Sequence, residues 1–587
     1  MGKIKLLYKY TKKDKKMFLL SFFSIIIATL AMMVTPIIIK YTIDSVIGDK
    51  EVETFNIFTQ YLDKDLLKIS LVIIGITLVR SAFQFFKGYT IAIASQRSAK
   101  RLKDKLYRRI QHFTMDVHTK KNSGDIMQRA TSDVEMVRKF LGIQLVEIVR
   151  IIIMVVIIGA LMFRLNVKLA IYAVILIPIV LGFSTVFFLK VKKIFKISEE
   201  AESELTDVLQ ENLSLVRVVK AFNNQDLEID LFEKKNKMFR DKTYRLIRIL
   251  ASFWGASDFL CYLQIMVVVA VGSVMAINNE ITLGTYVAFT TYSGMIVWPI
   301  RILGRILSDL GKALVAIERI DEVLNYKVEK YYDTLTTFTN EIKIRDLNFA
   351  YENDLVLKDI NLNISKGETV GILGKTGSGK TTLIKLLLGF YPYKGSITID
   401  GKEVKKSNKE HLRKHFGVVL QEPYLFGKSV KENIGISNDN LTKEDVIIAS
   451  EIANIRSNIE EFKEKYDTIV GEDGVSLSGG QKQRLAIARA LINKPEILIL
   501  DDSLSAVDNE TDMIIRENLK ENYNDITQII ISHKVSSIIK ADKIIVLEDG
   551  EIKQRGDHNL LMKESGYYKG AFEMQSLSSD LLKEMSL

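Results

Sequence analysis

Apolar and polar positions are distributed in two different ways along this chain. Up to about residue 315, long apolar runs alternate with basic stretches; beyond about residue 340 the pattern is that of a soluble α/β protein. Six runs, at approximately 17–39, 67–92, 141–163, 167–190, 250–277 and 282–307, reach the ~20 residues needed to cross a ~30 Å hydrocarbon core as helices. The connections at about 93–140 and 191–249 contain few Gly or Pro residues and also read as helical, so they extend the spans well beyond a bilayer. Turn-like breaks divide them at Thr114 to Gly124 and at Phe222 to Asp226, leaving tips that either dock on another domain or merely end a hairpin.

Loop charges orient these spans. Arg97, Lys100, Arg101, Lys103, Lys105, Arg108 and Arg109 place the 95–140 connection in the cytoplasm, whereas Asp49, Glu51, Glu53, Asp63 and Asp65 mark the 44–66 loop as external. Six crossings then leave both termini in the cytoplasm. The basic segment Lys3 to Lys16 and the apolar run Met17 to Ile39 resemble a signal peptide at first sight. That run is too long for one and has no clear small-residue cleavage site, so we read it as a retained first span preceded by a short amphipathic piece (Leu6, Leu7, Tyr10). Arg80, Glu147, Arg150, Asp258 and Arg301 fall inside apolar runs at similar depth, where charges are either paired or line an aqueous cavity. Glu147 and Arg150, three residues apart, are spaced to pair along one helix face.

Composition adds exclusions. A chain of 587 residues exceeds what one hydrophobic core organises, and the single cysteine, Cys261, rules out an intramolecular disulfide framework and indicates no cysteine metal site. The net charge of +10 is explained by lysines crowding beside apolar segments, so no nucleic-acid partner is expected. We divide the chain into a membrane domain (1–325), a linker (326–340) and a second, α/β domain (341–587).

In the second half, the apolar strand-length run Glu368–Gly374 leads into Gly374-Lys375-Thr376-Gly377-Ser378-Gly379-Lys380-Thr381, followed by Thr382 and a helical stretch. This is the pattern G-x-x-x-x-G-K-[ST] in its strand–loop–helix setting, where backbone N–H groups face phosphates at a helix N-terminus. Lys380 would neutralise the β/γ-phosphates of a nucleotide and the Thr381 hydroxyl would ligate Mg²⁺. A second apolar run, Ile497–Leu500, ends in Asp501 and Asp502, where open α/β sheets place ligand chemistry. Asp501 would hold Mg²⁺, and Asp502 either shares the chemistry or caps a following helix.

Leu477-Ser478-Gly479-Gly480-Gln481, just before that strand, resembles the signature of ATP-binding-cassette (ABC) proteins. The other family elements stand in order around it. Tyr351 resembles the aromatic residue stacking on adenine, Gln421 the glutamine sensing γ-phosphate and Mg²⁺, and His533 the γ-phosphate switch. Ser505-Ala506-Val507-Asp508 resembles the loop joining two sites, and Thr468–Glu472 an exporter-specific loop. The resemblance covers essentially the whole chain. It implies an all-α, six-helix membrane domain followed by an α/β P-loop cassette, working as a dimer that sandwiches two ATP molecules, each between one cassette's phosphate loop and the other's signature. The tips near Val117 and Asn223 would transmit closure.

Where the family usually carries a water-polarising glutamate, this chain has Asp502, one methylene shorter. That departure resembles one subunit of the heterodimeric bacterial multidrug exporters. The expectation is an efflux subunit for amphipathic small molecules in a bacterial plasma membrane. It would contribute a slow ATP site of its own and Ser478–Gly480 to a partner's fast site. Lipid or peptide export, and a non-transporting ATP-bound regulatory subunit, are the alternatives. No motif names a substrate.

Overall fold

A computed structural model describes residues 8–48, 65–438, 440–471, 477–503, 507–523 and 525–585. Asp49, Glu51, Glu53 and Asp63 of the expected external loop, the residues preceding Tyr8, Glu472, and Ser505 and Ala506 lie outside the described residues. The chain forms two units: Met1–Phe113 with Lys120–Tyr326, and Lys327–Leu587 with the short insert Thr114–Thr119.

The first unit is helical. Its main elements are α1 (Lys15–Tyr41), α2 (Leu66–Gln111), α3 (Leu145–Leu165), α4 (Val167–Val174), α5 (Ile177–Ser214), α6 (Gln225–Ile277) and α7 (Leu283–Leu324). Five continuous helical stretches among the described residues are long and apolar enough to cross a membrane: Tyr8–Ile47, Leu66–Gln111, Ser123–Leu165, Val167–Ser214 and Gln225–Ile277. The sixth expected span lies in α7, which opens with the more polar series Thr285, Tyr286, Thr290, Thr291, Tyr292 and Ser293. With 53 residues, α6 is about 80 Å long, so the expected extension beyond a bilayer is present.

Hydrocarbon offers backbone groups no partners, so irregular backbone at membrane depth needs protein to satisfy it. The break between α4 and α5 shows how. Pro178 brings no N–H to the ladder and crowds the carbonyl four residues back, parting the helix at Ile175–Leu176. Gln264 of α6, fully buried, repairs the gap. Its Nε2 donates to the carbonyls of Tyr172 and Ala173, each at 2.9 Å, and its Oε1 accepts from Leu176 N–H at 3.1 Å.

A second junction ties α1 to α7. Widened π-type turns at Thr42–Ile47 follow α1 and bury Asp44. Asp44 accepts from Lys40 Nζ at 3.1 Å, Thr282 Oγ1 at 2.6 Å and Gly284 N–H at 2.8 Å, placing a carboxylate at the N-terminus of α7, where free amides favour negative charge. A β-carbon at residue 284 would stand 2.4 Å from the Lys40 carbonyl oxygen and 2.7 Å from Asp44 Cγ, so only glycine permits this approach. Of the charges inside the apolar runs, Arg150 pairs with Glu147 on α3, as their spacing predicts, and Arg301 of α7 pairs with Asp258 of α6. The Arg301 guanidinium also lies 4.7 Å and 4.5 Å from the ring centres of Trp254 and Trp298. Arg80 is exposed.

The second unit contains two sheets. Strands β1 (Glu341–Tyr351), β2 (Asp354–Ser365), β4 (Lys394–Ile399) and β5 (Lys402–Glu403) form an antiparallel sheet of order β2-β1-β4-β5. Strands β3 (Thr369–Leu373), β6 (Phe416–Val419), β7 (Ile497–Asp501), β8 (Thr527–Ile531), β9 (Lys543–Glu548) and β10 (Glu551–Gly556) form the other, of order β10-β9-β3-β8-β7-β6, parallel except for β10. In β7, Ile497 and Ile499 enter one core and Leu498 and Leu500 the other, so a continuous apolar run is what a strand covered on both faces requires. The insert Thr114–Thr119 packs with this unit. Met115 lies against its core, Thr114 N–H donates to the Lys327 carbonyl at 3.2 Å, and the Thr119 hydroxyl is 3.3 Å from that of Tyr391. The second tip carries Phe222 at 73 % exposure, with Asn223 at φ +54.

Gln264→Leu leaves a buried N–H and two carbonyls unpaired and is expected to cost about 3 kcal/mol, read as a lowered midpoint of thermal unfolding in detergent. Gly284→Ala forces α1 and α7 apart and is expected to cost about 1–3 kcal/mol in the same assay, whereas Gly294→Ala, whose added β-carbon meets nothing within 4 Å, is close to neutral.

Candidate nucleotide site

Four adjacent parallel strands, β3, β8, β7 and β6, deliver their C-terminal ends to one edge of the large sheet. Gly374 follows β3 and opens the loop to Gly379; Lys380, Thr381 and Thr382 begin helix α8 (Lys380–Leu387). His533 follows β8, Asp501 ends β7 with Asp502 next, and Gln421 follows β6. Sheet topology therefore brings these residues together from positions up to about 160 residues apart in sequence, at the edge where open α/β sheets bind ligands.

Within the phosphate loop, Lys380 is buried and its Nζ donates to the carbonyls of Gly374 (2.7 Å) and Lys375 (2.8 Å), which folds the loop around its ammonium. Gly379 adopts φ +101, and a β-carbon there would meet Leu357 Cδ2 at 2.6 Å, so the β1–β2 hairpin presses on the loop. The Ser378 hydroxyl is buried with no hydrogen-bond partner among the described residues, as is that of Ser503 beyond Asp502. Unpaired buried hydroxyls cost free energy and call for an outside partner.

The Thr381 hydroxyl donates to Asp501 Oδ2 at 2.9 Å. Burial pushes the Asp501 carboxyl above its usual range; the Thr381 bond opposes this, and the Asp502 carboxylate beside it adds to it. Burial likewise holds Lys380 below the usual lysine range, against the pull of Asp501 and Asp502. Asp502 takes φ +47, a left-handed conformation that aspartate tolerates better than most residues, and its N–H donates to the Ile531 carbonyl at 2.9 Å. Gln421 Nε2 stands 3.5 Å from Asp502 Oδ2, the outer limit of a hydrogen bond.

The remaining expected residues come from other elements. Tyr351 ends β1 and packs edge-on against Phe349 (4.8 Å between ring centres) and Tyr391 (5.4 Å). Ser478 caps helix α9 (Gly479–Leu491): its hydroxyl accepts from Gln481 N–H at 3.3 Å, while its own N–H donates to Gln481 Oε1 at 3.0 Å. Among the described residues, Ser478, Gly479, Gly480 and Gln481 make no hydrogen bond to the phosphate loop. Asp508 caps the helix Asn509–Asn522, accepting from Thr511 N–H at 2.8 Å. Val470 N–H donates to Lys428 O and Val430 N–H to Thr468 O, each at 3.0 Å, which stitches the start of the exporter-type loop to the segment after Gln421.

The family profile of the ABC transporter transmembrane region matches residues 18–300, and the ABC transporter profile matches 357–505. This chain belongs to the ABC exporters. It is 31% identical to an uncharacterized ABC transporter ATP-binding protein of Bacillus subtilis, YknU, over 100% of this chain and 99% of that one. It is 33% identical, over 93% of its length and 95% of the relative's, to a Staphylococcus aureus protein provisionally named a multidrug export ATP-binding/permease protein. Its fold matches the structure of a bacterial Atm1-family ABC exporter with ATP bound, at TM-score 0.81 and 21% identity, over 95% of this chain and 99% of that chain. The exporter is thus a membrane transporter whose cassette binds ATP and couples its hydrolysis to transport. One transmembrane region and one cassette make it a half-transporter, a kind that generally dimerises.

No motif includes Ser503 or Gln575. Ser503 follows the paired aspartates without a pattern of its own, and only its burial reveals it. Gly379→Ala combines left-handed strain with the Leu357 contact and is expected to destabilise the exporter by about 1–3 kcal/mol, with a lower unfolding midpoint in the absence of nucleotide.

Proposed function

We propose that this exporter works as one half of a heterodimer that moves amphipathic small molecules out of the cell, with a slow ATP site of its own and an intact signature offered to its partner's site. Asp502 carries this reading. A base that polarises water must reach within about 2.6–3.2 Å of the proton it takes, and a misplacement of about 1 Å can cost 100-fold. Asp502 is one methylene short of glutamate, and its backbone is already committed by the Ile531 bond, which limits how far a shift can restore the reach.

The rest of the site supports nucleotide binding. Gly374 to Thr382 would hold the phosphates with Lys380 as counter-charge, and Tyr351 would meet the adenine. Thr381 and Asp501, already in contact, would hold Mg²⁺ together with Gln421; a buried carboxyl pushed up by desolvation suits a position completed by a cation. Mg²⁺ there would neutralise phosphate charge. His533 would sense the terminal phosphate. The capped, self-contained signature Ser478–Gln481 would face the ATP held by the other subunit. The export-named relatives favour drug-like cargo over lipid or peptide.

The test is ATP turnover by the heterodimer in which the partner's own catalytic glutamate is replaced by glutamine, leaving this chain's site as the reporter. Asp502→Glu is expected to raise that turnover by about 10–100-fold. Fast turnover by the unmodified chain, alone or in this heterodimer, and no gain from Asp502→Glu, would refute the slow-site reading.

A further inference from the structure

The loop bearing His533 is held from a part of the chain that no nucleotide motif includes. Helix α10 (Tyr567–Met585) begins on the same core that receives Val535 and Ile538: Tyr568 is fully buried, its hydroxyl lies 2.8 Å from His558 Nδ1, and Ala571 is buried one turn on. Seven residues after Tyr568, and so on the same helix face, stands Gln575. Its Nε2 donates to the His533 carbonyl at 2.8 Å and its Oε1 accepts from Val535 N–H at 2.8 Å. One carboxamide thus closes over both sides of Lys534, as a neighbouring strand would.

The loop is tied elsewhere as well. Ser532 N–H donates to the Ile372 carbonyl of β3 at 3.2 Å, and Lys534 N–H to Ser532 Oγ at 2.9 Å. The Ile372 bond fixes the loop to the strand that carries the phosphate loop. Gln575 is the only one of these partners that comes from outside the sheet and its loops. Its task demands a donor and an acceptor at a fixed spacing: glutamate loses the donor, asparagine is one methylene short, and alanine leaves both backbone groups unpaired.

We propose that Gln575 is the positioning residue for His533, so that the seating of α10 sets the reach of the imidazole and with it this site's ability to tell ATP from ADP. The inference rests on the reading of His533 as the γ-phosphate switch. It predicts that loss of Gln575 acts through His533 and not on nucleotide affinity in general.

Affinities for ATP and ADP, each with Mg²⁺, are to be measured on the full-length chain, unmodified and with Gln575→Ala, Gln575→Glu, His533→Ala, and Gln575→Ala combined with His533→Ala. Gln575→Ala and Gln575→Glu are expected to lower the ATP:ADP affinity ratio about fivefold while leaving ADP affinity within twofold. The double variant is expected to be no worse than His533→Ala alone, because the two residues act as one unit. In an Asp502→Glu background, Gln575→Ala is expected to lower kcat/KM for ATP while leaving inhibition by ADP little changed. An unchanged ATP:ADP ratio, equal loss of both affinities, or a loss additive to that of His533→Ala would overturn the proposal. His533→Ala without effect on the ratio would overturn the reading of His533 and the proposal with it. A fall in unfolding temperature alone would assign Gln575 a purely structural role and overturn the positioning claim.

Discussion

Backbone polar groups that have lost their regular partners, in places water does not satisfy, are the constraint from which much of this structure follows. In the membrane unit the constraint allows only helices, and where a helix breaks it demands a substitute. Gln264 is that substitute at the α4–α5 break, and Asp44 plays the same part for the Gly284 amide at the start of α7. In the cassette, buried parallel strands satisfy one another, and the loops at their C-terminal ends take over where the ladder stops. Gln575 at the His533 loop repeats the solution found at Gln264: a carboxamide supplies donor and acceptor together, with no net charge to desolvate.

The same economy explains why the nucleotide site sits at one edge. Asp501, Asp502, His533, Gln421 and the phosphate loop are far apart in sequence, but each follows a strand of one parallel array. Residues at strand ends inherit the rigidity of the sheet, so their relative placement is set by register. Asp501 and Ile531 are register partners, and Asp502 N–H bonds to Ile531. A methylene removed at residue 502 is therefore difficult to offset by moving its backbone.

Much of this was legible in the sequence, for definite reasons. Spans are legible because hydrocarbon admits long apolar runs, and β7 because burial on both faces removes polar alternation. The phosphate loop, the paired aspartates and the signature are legible because phosphate and metal chemistry needs particular residue types at fixed local spacing. Gln264, Asp44 with Lys40, Gly284 and Gln575 were not. Each serves a backbone atom in a distant segment, and neither residue type nor spacing encodes which atom that is. The run at 167–190 read as one span because Pro178 alone does not say whether a helix bends or parts. The pairing of Arg150 with Glu147 was legible from its spacing along one helix, whereas that of Arg301 with Asp258 depends on how α6 and α7 pack.

The break between α4 and α5 lies beside an unbroken neighbour. Mechanically, α6 is a stiff beam and the α4–α5 rod beside it is jointed, with Gln264 as the pin joining the two at the level of the joint. Such a pair resists flexing along most of its length and concentrates compliance at one height. Bending load carried by these helices is therefore expected to express itself as a change of angle at Ile175–Leu176, with the sections on either side moving as rigid bodies.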